Sequence, residues 1–248
     1  MGKVLDYTYP MNLITSAKKS FFDLLFPDFC AGCGTEGVLL CTSCLRSLKY
    51  FSPICIHCHR ITLGKNKVPP GRTCGSCRGK TSLYAFISPF KFDEKLIREL
   101  IHRLKYNRLQ IVADFFAKHL AEYCRRFTIS FPESMVLVPV PLHGSRERAR
   151  GFNQSSLIAS HLAKELDLLI VESVLVRLKN TKPQIGLNRR ERETNVLGAF
   201  GVNNNMAVKD RVILLLDDVL TTGSTMNEAA KALKEAGAKR VWAITVAH

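Results

Sequence analysis

The chain has 248 residues, room for one large domain or for an ordinary domain with a small module attached. A hydrophobic fraction of 46% and a mean hydropathy of +0.03 exclude a disordered chain, and no apolar run reaches the roughly 18 residues of a membrane span. The 36 Lys and Arg against 21 Asp and Glu leave a net charge of +15, which suggests a polyanionic partner; the plainer reading is a solvated basic surface.

Residues 1–29 read as a lead-in with a short helix. Its stretch Phe21-Phe22-Asp23-Leu24-Leu25-Phe26-Pro27 carries an acid and a proline. It starts too far along and lacks the small-residue cleavage site of an export signal, so a soluble protein is expected.

Next come four CxxC pairs: Cys30/Cys33, Cys41/Cys44, Cys55/Cys58 and Cys74/Cys77. Two residues between thiolates let both sulfurs of a knuckle face one ion, and two knuckles complete the four-sulfur tetrahedron that Zn²⁺ prefers. Eight thiolates make two structural zinc sites. Few apolar residues lie between Cys30 and Cys77, so metal must supply much of the folding free energy of residues 30–80. Disulfides would need an oxidising compartment, and a redox CxxC is not expected four times over. Sequential pairing of knuckles is simplest, although cross-bracing fits the spacing too. His57 and His59 are read as exposed spares and Cys124 as a small buried hydrophobe.

From residue 81 to 248 the pattern alternates between helix and strand. Leu96, Ile97, Leu100, Ile101 and Leu104 recur at helical spacing after a cap at Asp93. A helix is predicted over Leu109–Arg126 with Ile111, Val112, Phe115, Phe116 and Leu120 inward. Strands are predicted at Met135–Val140, Ile170–Val176, Val212–Leu216 and Val241–Val246, and helices at Ser155–Leu166 and Thr225–Ala236. The five consecutive aliphatics of Val212–Leu216 suit a parallel strand covered on both faces. The domain is therefore a doubly wound α/β sheet, with its ligand at the carboxyl ends of the strands.

At that end the strand delivers Asp217 and Asp218, then the loop Thr221-Thr222-Gly223-Ser224-Thr225 opens a helix. Backbone N–H groups, the helix N-terminus and four hydroxyls favour a phosphate monoester, with Gly223 permitting the turn. The acids would repel that phosphate directly. They make sense one loop-width away, accepting from vicinal ribose hydroxyls or holding Mg²⁺ through water.

This segment resembles the signature of type I phosphoribosyltransferases, which implies binding of 5-phosphoribosyl-1-pyrophosphate (PRPP) with Mg²⁺ and a type I phosphoribosyltransferase-like parallel sheet flanked by helices. The same resemblance implies a pyrophosphate loop after the strand ending at Val140, read here as a basic loop with Arg146, Arg148 and Arg150. It also implies a mobile hood between Arg177 and Phe200, containing Gln184, Arg192 and Asn195.

The double zinc ribbon, the run Arg150-Gly151-Phe152-Asn153-Gln154, Gln184 with Arg192-Glu193-Thr194-Asn195-Val196, and the Asp217–Thr225 signature follow one another as in the ComF family. That resemblance implies a cytoplasmic protein that binds single-stranded DNA during natural transformation, with a competence helicase as partner. An active phosphoribosyltransferase of unknown acceptor is the alternative, and a zinc scaffold whose α/β half is purely structural is a third reading. Basic clusters at Lys65/Lys67/Arg72/Arg78/Lys80, Arg146/Arg148/Arg150 and Arg189/Arg190/Arg192 are candidate DNA contacts, with Tyr50, Phe51 and Phe152 available for stacking.

Overall fold

The computed structural model describes residues 29–65, 68–104, 109–181 and 188–248, without the side chains of Leu109 and Arg189. The chain divides into two compact units between Lys49 and Tyr50. In the smaller unit, helix α1 (Thr42–Ser47) is capped by a cysteine: the Cys41 sulfur accepts from the Cys44 amide at 3.5 Å.

The larger unit is built on a five-stranded, wholly parallel sheet. Its strands are β1 (Ala85–Ile87), β2 (Met135–Pro139), β3 (Leu169–Ile170), β6 (Val212–Val219) and β7 (Arg240–Ala247), in the order β1-β7-β6-β2-β3. Helices α2 (Lys95–Arg103), α3 (Leu109–Arg126), α4 (Gly144–Arg150), α5 (Gln154–Leu166), α6 (Arg189–Val196) and α7 (Ser224–Glu235) accompany it. A separate antiparallel ribbon pairs β4 (Leu175–Arg177) with β5 (Phe200–Val202). Val136, Val138, Ile213, Leu215, Val241 and Ala243 form one core with Met226, Ala229, Ala230 and Leu233 of α7. Alternate positions such as Leu137 and Leu214 must then face the opposite side of the sheet, where α5 packs on β2 and β6.

Loop 53–82 is stitched to the sheet edge. Ile56 enters the main core, the Phe86 amide donates to the Gly71 carbonyl at 2.9 Å, and the Thr73 amide donates to the Tyr84 carbonyl at 2.9 Å. Gly71 has φ +77°, and a Cβ there would lie 2.0 Å from the Phe86 carbonyl oxygen, so only glycine fits.

Several expectations are corrected. Ile170–Val176 is not one strand: Ser173 takes φ 61°, which breaks the run and sends the chain out of the sheet into the ribbon. The supposed basic loop forms α4, because the His143 side chain accepts from the Ser145 amide at its start and Gly151 stops it at φ 81°. The segment predicted to form a hood carries α6, nucleated by a capping box between Asn188 and Glu191. Helix α2 begins after Glu94, not Asp93, and without a side-chain cap. Ile111 is exposed, since the buried stripe of α3 runs through Val112, Ala113, Phe116, Ala117, Leu120 and Ala121, where alanines hold the inward positions. His57 is half-buried, whereas His59 is exposed and Cys124 is buried, as expected. Among the described residues no helix is long and apolar enough to cross a membrane.

Candidate functional site

Strand β2 leads outward to β3, while β6 leads the other way to β7. Their neighbouring carboxyl ends therefore flank the crevice where such sheets take ligands. Helix α4 follows one end and the Thr221–Thr225 loop follows the other.

The acids do not lie beyond the strand as expected. Strand β6 runs on to Val219, with Asp217 in register with Thr245, because β7 is long enough to pair with it there. Both carboxylates are half-buried. Asp217 accepts from the Ser155 hydroxyl at 2.9 Å and from the Asp218 amide at 3.0 Å, and Asp218 accepts from the Val219 amide at 2.8 Å. Burial and then the neighbouring Asp218 carboxylate push Asp217 up to about 7, against the opposing pull of Ser155. Asn153 supports this arrangement. Its amide donates to the Val140 carbonyl at 3.0 Å and its oxygen caps α5 at the Ser155 amide, 3.1 Å away.

The loop Thr221–Thr225 turns directly into helix α7. Gly223 sits at φ 78° as the N-cap of the twelve-residue helix α7, and the Thr222 and Ser224 hydroxyls bond each other at 2.8 Å. Thr221 is exposed, and Thr222, Ser224 and Thr225 are half-buried at the helix N-terminus, where amides and dipole favour negative charge.

The three arginines of α4 diverge. Arg146 donates to the Thr181 carbonyl. Arg148 is exposed and folds back beside Gly144, and Arg150, also exposed, donates to Gln154 Oε1 at 3.1 Å. Arg192 and Asn195 are half-buried on α6, which packs on α7; Gln184 and Lys67 lie outside the described residues. Tyr50 is committed to packing against Phe90 and Tyr123 and bonds His119 at 2.6 Å, so it is no stacking platform. Ser155, which donates to Asp217, is the neighbour of the acid pair that sequence reasoning missed. A serine opening a helix carries no signal of its own until the fold brings it beside the acids.

The cysteines settle into two groups, Cys30/Cys33/Cys41/Cys44 and Cys55/Cys58/Cys74/Cys77, so the pairing is sequential and not cross-braced. All are free thiols, and within each group the sulfurs lie within 4.8 Å of one another. The Cys33–Cys41 and Cys58–Cys74 sulfurs are 3.6 and 3.7 Å apart, close to the edge of about 3.8 Å of a tetrahedron with metal–sulfur bonds near 2.3 Å. Backbone amides of Cys41 and Cys74 donate to the sulfurs of Cys30 and Cys55 at 3.3 and 3.5 Å, as suits thiolates. Both donor sets fit a tetrahedral metal ion.

A phosphoribosyl transferase domain model matches residues 152–248. The chain is 31% identical over 213 residues to Competence protein F of Haemophilus influenzae, covering 83% of this chain and 89% of that one. The chain belongs to the ComF family. Another similar protein is the DNA utilization protein YhgH of Salmonella typhimurium, 30% identical over 211 residues, with 83% of this chain and 89% of that one covered. Among solved structures, an allosteric regulatory enzyme of purine biosynthesis aligns at 20% identity and a TM-score of 0.36, over 54% of this chain and 25% of that one. In this ComF chain the matched domain begins at Phe152, within the Arg150–Gln154 run, and holds the acid pair and the Thr221–Thr225 loop, while both cysteine groups precede it.

Proposed function

We infer that this chain binds PRPP in the β2/β6 crevice and acts in the cytoplasm during DNA uptake, handling single-stranded DNA. The observation that carries the first part is the pairing of opposite chemistries one loop-width apart: Asp217 and Asp218 in β6, and the Gly223-capped start of α7. The loop Thr221–Thr225 takes the 5′-phosphate, and the two acids accept from the ribose hydroxyls and hold Mg²⁺ through water. Arg146, Arg148 and Arg150 belong to the pyrophosphate side, with Arg146 the one turned inward. Gln184, Arg192 and Asn195 belong to the hood that orders over the ligand.

The DNA role is supported by the names of the relatives, a competence protein and a DNA utilization protein, and by the charge of +15. Zn²⁺ is the metal that suits two closed four-sulfur sites, one in each cysteine group. A competence helicase is the protein partner that family membership suggests. Transfer of the phosphoribosyl group needs no protein nucleophile, so binding and catalysis require separate tests. Isothermal titration with PRPP, with and without Mg²⁺, tests the first. Pyrophosphate release on adding DNA or nucleobases tests the second. Absence of PRPP binding overturns the reading.

A further inference from the structure

Asn227 ties the second cysteine group to the loop that opens α7. It lies in the first turn of that helix, where its amide donates to the Gly223 carbonyl at 2.8 Å. Its side-chain oxygen accepts twice, from the Thr81 hydroxyl at 2.9 Å and from the Ser82 amide at 2.8 Å. Thr81 and Ser82 directly follow the 3₁₀ turn Gly75–Lys80, which begins after Cys74 and carries Cys77. Further contacts draw the same segments together. Thr73, beside Cys74, donates its hydroxyl to the Leu83 carbonyl at 2.8 Å. Leu83 and Ile56, which follows Cys55, share one core with Leu220 and Met226, the residues that flank the Thr221–Thr225 loop.

The cysteine segment has little to hold it except its sulfurs. Within Gly75–Lys80 only Cys77 is buried, and no side chain caps the turn at Cys74. A 3₁₀ turn is poorly bonded by itself, so a metal ion on Cys55, Cys58, Cys74 and Cys77 must supply its order. The start of α7 has a matching weakness. Gly223, its N-cap, brings no side chain to hold the helix start, a task that a bound anion performs instead. Asn227 lets each of these two marginal elements lend order to the other. Occupying one then favours occupying the other, by the same factor in both directions.

We propose that Asn227 is a positioning residue that couples metal occupancy of the second cysteine group to phosphate binding at the Thr221–Thr225 loop. Loss of the metal frees Thr81 and Ser82 from Asn227 and loosens the first turn of α7, so the phosphate is held more tightly while the metal is bound. The proposal rests on the readings above that this loop takes a phosphate and this group a metal ion. The first cysteine group lies in the smaller unit and is the internal control.

Equilibrium competition of the full chain with a chromophoric chelator, with and without saturating ribose 5-phosphate, measures the metal side. Isothermal titration with ribose 5-phosphate, before and after the second group is stripped, measures the ligand side. Cys33→Ser identifies the signal of the first group. Ribose 5-phosphate should tighten metal at the second group by roughly fivefold to thirtyfold, the range two hydrogen bonds can transmit, and leave the first group unchanged. Stripping should weaken ribose 5-phosphate by the same factor. In Asn227→Ala the coupling should vanish, and the metal-loaded variant should bind ribose 5-phosphate as weakly as the stripped parent chain does. Thr81→Ser, which keeps the hydroxyl, should retain it. No coupling in the unaltered chain, equal coupling in Asn227→Ala, or a second group that takes up no metal overturns the proposal. Amide hydrogen exchange across residues 220–228 without ligand separates these outcomes from failure of the phosphate reading. If ribose 5-phosphate does not bind, yet stripping speeds exchange there in the unaltered chain and not in Asn227→Ala, the link stands and the phosphate reading falls. If nothing binds and exchange ignores the metal, the link falls too.

Discussion

Ser155, in the first turn of α5, donates its hydroxyl to Asp217 at the end of β6 across 2.9 Å. This bond joins the helix that follows α4 to the strand that carries the acids, and it occupies one carboxylate oxygen of Asp217. Ser155→Ala should leave the fold intact and weaken PRPP binding by about 1 kcal/mol, the net worth of such a bond. Titration calorimetry beside a thermal melt separates the two effects. A chain that binds PRPP as before would show that Asp217 needs no positioning.

Removing both acids should cost more. Asp217→Asn with Asp218→Asn takes away charged acceptors, at roughly 1.5–3 kcal/mol per lost hydrogen bond to the ligand. Since both acids lie within β6, the melt must be recorded as well: an affinity loss without a lowered melting temperature is the expected pair of results.

Asp217 also makes stability depend on pH. Its carboxyl is pushed up to about 7, above the usual value near 4 of an unfolded chain, so the native state binds the extra proton between those limits. The contribution of the protonated form is fully present below about pH 4 and lost as pH rises through about 7. The chain should therefore melt higher at pH 5 than at pH 8 through this group, and Asp217→Asn should flatten the difference. Ligand affinity runs the other way, because an ionised Asp217 is the better acceptor for ribose hydroxyls. An unaltered pH dependence in Asp217→Asn would refute the assignment.

Metal content should be two zinc equivalents per chain by elemental analysis, and Cys55→Ser should remove about one. The two losses should differ in reach. Ile56 beside Cys55 belongs to the main core, so disrupting the second group should lower the melting temperature of the α/β unit. Cys30→Ser should not, since the first group lies in the smaller unit. Gly71→Ala offers a metal-independent check on the same stitching: a Cβ at 2.0 Å from the Phe86 carbonyl forces the backbone apart and should cost more than about 1 kcal/mol.

Single-stranded DNA should bind with a log affinity that falls against log salt at a slope near −0.7 for each phosphate contacted. Lys65 and Arg78 are both exposed, and Lys65→Glu with Arg78→Glu should make that slope shallower while leaving PRPP affinity unchanged. Binding indifferent to this reversal would move the DNA elsewhere.

The residue order alone determined most of what a short-range pattern can carry. Four CxxC spacings pointed to two four-sulfur groups able to hold a metal, because ligand spacing is a local property. The five aliphatics of Val212–Leu216 named a central strand, and the Asp217–Thr225 run marked the loop and helix start that follow it. Tertiary structure decided the rest, wherever the deciding neighbour is distant in sequence. Knuckle pairing, the extension of β6 through both acids, and the Ser155–Asp217 bond across 62 positions all depend on which elements become neighbours. The breaking of Ile170–Val176 turned on the φ of Ser173, which no hydrophobic count reports. Arg177 ends a strand like many exposed arginines. Only the return of the ribbon beside α4 brings it to Thr181 and Arg146.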